Sequence, residues 1–261
     1  MLTSPTPDPE PGPTADPGRQ PWGLVLFAHG SPDPRHAADI RVLAAGVQAL
    51  VPGVHIEIAY LDHLEPSPAA VGVRFASHRG TLVVVPVLMA RAFHARVDVP
   101  AALDAIRASA PDCAVLLAQP LGPHPLLGEA LLELLPDHAT PSDESNSTEN
   151  VLVLLAGSSD ALAVDDLIAT IRSASPRLAA AEFATLADQV ELDAALDRMR
   201  ERPGRPRVVS AVIADGILRD RMAAQCAQRG LPLVAGTLAG TQSLAALAII
   251  RARESLSARS G

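Results

Sequence analysis

Residues 24–61 read LVLFAHGSPDPRHAADIRVLAAGVQALVPGVHIEIAYL, and this stretch decides the fold. The apolar run Leu24–Ala28 is followed by a turn rich in Gly and Pro. Ala37–Leu50 then places apolar residues at helical spacing, and Pro52-Gly53 ends the helix. Val54–Leu61 returns to an apolar strand pattern. Strand, helix, strand over some forty residues is the signature of a βαβ unit and a parallel sheet. The composition agrees: the chain is 48% hydrophobic but only 2% aromatic, so its core is built from Ala, Val, Leu and Ile, which suits strands buried on both faces under Ala-rich helices.

The alternation continues outward. A helix is expected from Pro68, a strand over Leu82–Met89, a helix from Val99, a strand over Ala114–Ala118 and a helix over Leu126–Leu135. PDHATPSDESNSTEN (136–150) then interrupts with residues that bury no core, and the pattern restarts. Strands are expected at Val151–Ala156, Glu182–Leu186, Val208–Ala214 and Pro232–Ala235, with helices from Ala161, Leu192, Arg221 and Thr241. The expected organisation is a Pro-rich disordered tail (1–21), a first α/β domain (22–135), a linker (136–150) and a second α/β domain (151–255). Each domain is expected to be a small parallel sheet of order 2-1-3-4 flanked by helices. LVLFAHGS (24–31) aligns with LVLLAGSS (152–159), and PVLMARAFHARV (86–97) with AVIADGILRDRM (211–222). In this alignment His29 faces Gly157, Asp62 faces Ala187 and His94 faces Arg219. All eight histidines lie at or before His138, so the chemistry is expected in the first half.

Several function classes are disfavoured. A formal charge of −8 gives phosphate backbones no general attraction, so no nucleic-acid partner is expected. Cys113 and Cys226 lack CxxC spacing and read as small buried hydrophobes or incidental thiols in a reducing compartment. The N-terminal segment reads as neither signal nor anchor, no apolar run reaches the roughly 20 residues of a membrane helix, and a cytoplasmic protein is expected. GxGxxG and P-loop motifs are absent, as is a GxSxG elbow.

His29 follows directly on the first strand, and His94 lies just past the third. For strand order 2-1-3-4 the carboxyl ends of strands one and three flank the topological switch point, where open α/β sheets bind ligands. With neighbouring strands about 4.8 Å apart, the two imidazoles can converge on one ion or ligand. Each also has a plainer reading, as a solvated turn residue or helix-cap partner. Imidazole titrates near neutrality and, neutral, ligates Fe, Co, Ni or Zn. Asp62 and Glu65, after strand two, are candidate carboxylates, with cap or loop roles as the alternative. Arg35, Arg91, Arg96, Arg219 and Arg221 lie near the same strand ends and suit a polyanionic ligand. His124 opens a helix and is ambiguous; His36, His55, His63, His78 and His138 read as surface or loop residues.

AHGS (28–31), AYLDHLEPS (59–67), VVVPVLMARAFHARVDVPAAL (83–103) and LGPHPLL (121–127) together resemble the sirohydrochlorin chelatases of the two-domain type, with the class II chelatase fold. IADGILRDR (213–221) resembles the degenerate C-terminal repeat of that family. The resemblance implies insertion of a divalent metal, Fe²⁺ for siroheme, into sirohydrochlorin, an eight-carboxylate tetrapyrrole, with release of two protons. It implies His29 and His94 as metal ligands and proton acceptors, with Asp62 as a further metal ligand. Glu65, Ser31 and the stretch Met89, Ala90, Arg91, Ala92 and Phe93 are implied as substrate contacts. It implies Fe²⁺ or Co²⁺ as the metal substrate, no prosthetic group, and a monomer with two pseudo-symmetric domains. The sequence departs from the family at Ala92, usually Gly, and at Asp62, often Glu. A cobaltochelatase of the cobalamin route, a non-catalytic metal or tetrapyrrole carrier, and a hydrolase using His29 as base are the competing readings.

Overall fold

Strand β1 (Trp22–Ala28) is buried from Gly23 to its end, and its alternating side chains supply two different cores. Leu24, Leu26 and Ala28 face one apolar cluster, while Val25 and Phe27 face another, as the period of two of a strand requires. The computed structural model describes residues 22–89, 98–135, 150–158, 160–174, 176–204, 206–231 and 233–260. The tail expected at 1–21 and all but Asn150 of the expected linker lie outside the described residues.

β1 is flanked by β2 (His55–Tyr60) and β3 (Thr81–Pro86), and β4 (Ala114–Leu117) pairs with β3, giving an all-parallel sheet of order β2-β1-β3-β4. Helix α1 (Pro34–Leu50) starts where its sequence says it should: the Asp33 carboxylate caps the Arg35 N–H and Pro34 takes the first turn. Ser67 and Pro68 repeat this device for α2 (Pro68–Arg74). Helices α2 and α3 (Asp98–Ser109) cover the Val25/Phe27 face of the sheet.

The second half contains β5 (Val151–Leu155), α5 (Ala161–Ala174), a short α6 (Pro176–Ala179), β6 (Glu182–Thr185), α7 (Gln189–Arg200), β7 (Arg207–Ser210), α8 (Ile217–Gln228) and α9 (Gln242–Ser260). Its sheet has three parallel strands, order β6-β5-β7. Of the fourth strand expected over 232–235, the described residues show a single bridge, between Val208 and Leu233. Here a side chain competes for the backbone: the Arg219 guanidinium donates to the carbonyls of Val234 and Gly236. α8 begins four residues before the expected start at Arg221, and α9 one residue after the expected start at Thr241.

Helices α1, α4 (Leu126–Glu133), α5 and α9 lie between the two sheets. β5 sends Val151, Val153 and Leu155 into the same cluster as Leu24, Leu26 and Ala28, and Leu152 and Leu154 to the far side, under α7 and α8. The closing helix of each half lies against the other half. A Cβ at Gly128 of α4 would sit 2.8 Å from the Ala174 Cβ of α5, so glycine is what permits the close approach. α9 packs on α1, α4 and β3; its Ser255 donates to the Leu117 carbonyl (3.3 Å) and Arg259 to the Thr81 hydroxyl (3.0 Å).

Leu247 of α9 is fully buried in the shared cluster. Leu247→Ala is expected to cost about 2–5 kcal/mol. Because the cluster spans both sheets, denaturant unfolding of wild type and variant, followed by far-ultraviolet circular dichroism and by near-ultraviolet absorption, should remain one coincident transition. Separate transitions for the two halves would contradict a shared core.

Candidate active site

The carboxyl ends of β1 and β3 separate after the hydrogen bond from the Val87 N–H to the Phe27 carbonyl. α1, which follows β1, lies on one face of the sheet and α3, which follows β3, on the other, so the crevice beyond β1 and β3 is the switch point. His29 stands there, exposed, on the first residue after β1. Its backbone is tightly held: the Asp62 N–H donates to the His29 carbonyl (2.9 Å) and the Leu61 N–H to that of Ala28 (3.0 Å). Gly30 has φ +93°, and a Cβ there would lie 1.9 Å from the Asp62 carbonyl oxygen. Only glycine permits both the dihedral and this approach.

The turn is braced from within. Ser31 Oγ accepts the Asp33 N–H (3.1 Å), so its hydroxyl oxygen serves the turn. The Asp62 carboxylate is 64% exposed and accepts the His63 N–H (2.7 Å), with the His63 ring 3.5 Å away. The structure therefore sets Asp62 beside His29 at adjacent strand ends. Glu65 is turned back on its own loop, accepting the Ser67 N–H at 2.6 Å. The half-buried Met89 follows β3, and its carbonyl lies against Gly122. His94, together with Ala90, Arg91, Ala92, Phe93 and Arg96, lies outside the described residues. Among the described residues no group of three His, Cys, Asp or Glu forms a metal site.

Two expectations about charge and exposure change. Arg35 and Arg219 are engaged, the first by Asp33 and Asp220, the second by backbone carbonyls. His36 is half-buried, not a surface residue, and its Nδ1 is buried without a partner. Burial, and the nearby His29, push its pKa below the ordinary value. Its spacing to Ile40, Leu43 and Val47, the buried stripe of α1, is the signal that places it. His78 is likewise half-buried, against Phe75, whereas His55 and His63 are exposed. Burial pushes the Cys226 thiol up to about 11, in keeping with a small core residue.

The second half carries the same turn without the same side chains, in a register one residue from that expected. The Leu186 N–H donates to the Leu155 carbonyl as Leu61 does to Ala28, Gly157 repeats the positive φ of Gly30 at +90°, and Ser158 Oγ accepts the Asp160 N–H as Ser31 does that of Asp33. The partner of His29 is therefore Ala156, not Gly157, and that of Asp62 is Ala187. Beyond β7 the Ala211 N–H bonds to Leu154 as Val87 does to Phe27, so Val87, not Pro86, matches Ala211. The single-residue slip arises because both turns contain an adjacent small residue that aligns equally well by letter.

Residues 23–138 match the CbiX family model. The match spans less than half of the chain, and in that part the chain is similar to the CbiX family. A sirohydrochlorin cobaltochelatase of Priestia megaterium is 29% identical over 150 residues, 55% of this chain and 47% of the relative. The chain thus matches about half the length of that curated relative. The structure of SirB from Bacillus subtilis with Fe³⁺ superposes with a TM-score of 0.72 at 18% identity, covering 92% of this chain and 98% of SirB. The sirohydrochlorin chelatase SirB of Bacillus subtilis subspecies spizizenii in complex with cobalt gives 0.67 at 17% identity, covering 90% and 95%. Both likenesses extend over the two halves and show a shared α/β chelatase-like fold. Among the described residues no helix is long and apolar enough to cross a membrane.

His124, the ambiguous histidine of this domain, is a helix cap: its Nδ1 accepts the Leu126 N–H at 3.1 Å. Burial, reinforced by Arg251, lowers its pKa from the ordinary 6.5, with Glu254 opposing. The neutral ring is the capping form and the folded pKa lies below the unfolded one. The cap therefore contributes fully above about pH 6.5 and is lost as the pH falls through the folded value. His124→Asn retains an acceptor that does not titrate, so between pH 7 and pH 5 its thermal midpoint should fall less than that of the wild type. An equal fall in both would refute the assignment.

Proposed function

We propose that this protein inserts a divalent metal ion into sirohydrochlorin, releasing two protons, with Fe²⁺ and Co²⁺ as the candidate metals. The observation that carries the reading is His29, held by the Gly30–Asp62 contact at the switch point of a domain that matches the CbiX family model. In this reading His29 and His94 receive the metal as neutral imidazoles and take up the pyrrole protons as the metal leaves them. Weak imidazole ligation suits transfer, because four pyrrole nitrogens outcompete two rings, and the same lone pairs then serve as bases near neutral pH. Asp62 is the carboxylate set to assist. Its neighbour across the sheet end is His29, whereas Glu65 is occupied by Ser67.

The first half carries the chemistry, and the second supports it. A single chain is sufficient for the reaction, and a cytoplasmic setting fits the reaction and the absence of a membrane-crossing helix among the described residues. Two metals are drawn in because relatives named with cobalt and with Fe³⁺ share the fold or part of the sequence. Both ions prefer mixed nitrogen and oxygen ligands.

Anaerobic metal insertion followed by absorbance tests the reading. The wild type should accelerate insertion of Fe²⁺, Co²⁺ or both over the uncatalysed reaction. His29→Ala and His94→Ala should each lose on the order of 10²-fold or more in kcat, the scale of a general base. Tight binding without acceleration would make the protein a carrier, and full activity in both variants would remove the histidines from the mechanism.

A further inference from the structure

We infer that Arg35 is a positioning residue for metal insertion, locking the turn that carries His29 to helix α8 of the second half. The inference rests on the chelatase reading above. The Arg35 guanidinium is forked on two carboxylates at once. Toward Asp33 its Nε lies 3.1 and 3.2 Å from the two oxygens and its Nη2 2.6 Å from Oδ2. Toward Asp220, the fourth residue of α8, Nη1 and Nη2 donate at 2.8 and 2.6 Å. Asp215, before α8, adds an oxygen 3.7 Å from Nη1.

Asp33 is the fixed point of the turn. It caps α1, and its N–H is held by Ser31, two residues after His29. Gly216 brings the start of α8 alongside, with the place of its missing Cβ 3.7 Å from the Asp33 carboxylate. One turn further along α1, Asp39 Oδ2 accepts the Asp215 N–H and the Thr237 hydroxyl, both at 2.8 Å. The strand-end loops of the second half, equivalent to the chemical loops of the first, thus grip α1 where the His29 turn runs into it.

The exposure of the clamp decides its role. Arg35 is 43% and Asp220 56% exposed, and ion pairs this wet contribute little to global stability. Their bidentate geometry instead fixes orientation. An arginine near a polycarboxylate site also invites a competing role, direct capture of a substrate carboxylate. The two roles differ in what removal of Asp220 does. Without Asp220 a clamp is broken, whereas a substrate-binding guanidinium is set free.

The test uses full-length Arg35→Ala, Asp220→Ala, the double variant and Arg35→Lys. It measures insertion kinetics with tetrapyrrole and Co²⁺ varied separately, thermal midpoints, and Co²⁺ affinity by absorbance titration. A clamp predicts a kcat about 10- to 100-fold lower in either alanine variant, with KM for the tetrapyrrole changed by less than about two-fold. The double variant should be no worse than the worse single, and midpoints should be nearly unchanged. Arg35→Lys should fail to restore the rate, because a point charge cannot fork on two carboxylates. A raised KM in Arg35→Ala with full or improved activity in Asp220→Ala would overturn the clamp in favour of direct substrate capture. Losses that merely follow a falling folded fraction would overturn it in favour of a purely structural role. Should the wild type itself show no acceleration, the chelatase reading fails. The clamp is then judged on Co²⁺ alone: weaker binding in both alanine variants supports it, and unchanged binding overturns it.

Discussion

The two sheets depend on one apolar layer that neither half can complete alone. Leu24, Leu26 and Ala28 from β1 and Val151, Val153 and Leu155 from β5 face inward to the same helices. The closing helices are exchanged, with α4 set on α5 and α9 set on α1 and β3. A parallel strand such as β3, buried on both faces, needs cover on each, and on the inner side much of that cover for the first sheet comes from the last residues of the chain. The halves therefore share one core. Excising residues 151–261 to test the second half would also strip the first sheet of α9, and any loss of function would report the exposed core as much as a missing binding surface.

Much of this was legible in the sequence because the signals were local. Period two in LVLFA, helical spacing in Ala37–Leu50, and Pro52-Gly53 after it set β1, α1 and β2 without tertiary information, and the same logic found the remaining strands of the first sheet. The exchange of α4 and α9 left no such mark. A helix buried on several sides reads the same whichever sheet it covers, and nothing in Leu126–Glu133 or Gln242–Ser260 names its partner. The expected fourth strand of the second sheet failed for a related reason. The apolar letters at 231–235 suit a strand, but the carbonyl of Val234 is taken by Arg219 from fifteen residues away, a contact that pattern alone does not reveal. The strand-end positions of His29 and Asp62 were legible, and side-chain partners were less so. His29 and Asp62 fall at adjoining strand ends as read, while Arg35 proved committed to aspartates and His36 proved half-buried. Both outcomes are set by helix phase and by the second half.

The duplicated turn separates what the backbone needs from what chemistry would need. Gly30 and Gly157 keep a positive φ, Ser31 and Ser158 keep the same hydroxyl brace, and Asp33 and Asp160 follow at the same distance. These are the residues that shape a tight exit from a central parallel strand. At the two positions proposed for the chemistry the halves differ, with Ala156 opposite His29 and Ala187 opposite Asp62. The same turn therefore forms with and without the imidazole and the carboxylate, so its shape is set by the glycine, serine and aspartate and not by those side chains.

Charge at the mouth follows from the same division of labour. Asp33, Asp39, Asp62, Asp215 and Asp220 gather around His29 and the start of α1, and the Arg35 guanidinium reaches three of them, Asp33, Asp220 and, at 3.7 Å, Asp215. Arg35 holds the carboxyls of Asp33 and Asp220 well below the usual range, so they stay ionised wherever the protein is folded near neutrality. Such a field favours the approach of a divalent cation to His29 and opposes a polycarboxylate. In the proposed reaction this face of the crevice is therefore suited to collecting the ion.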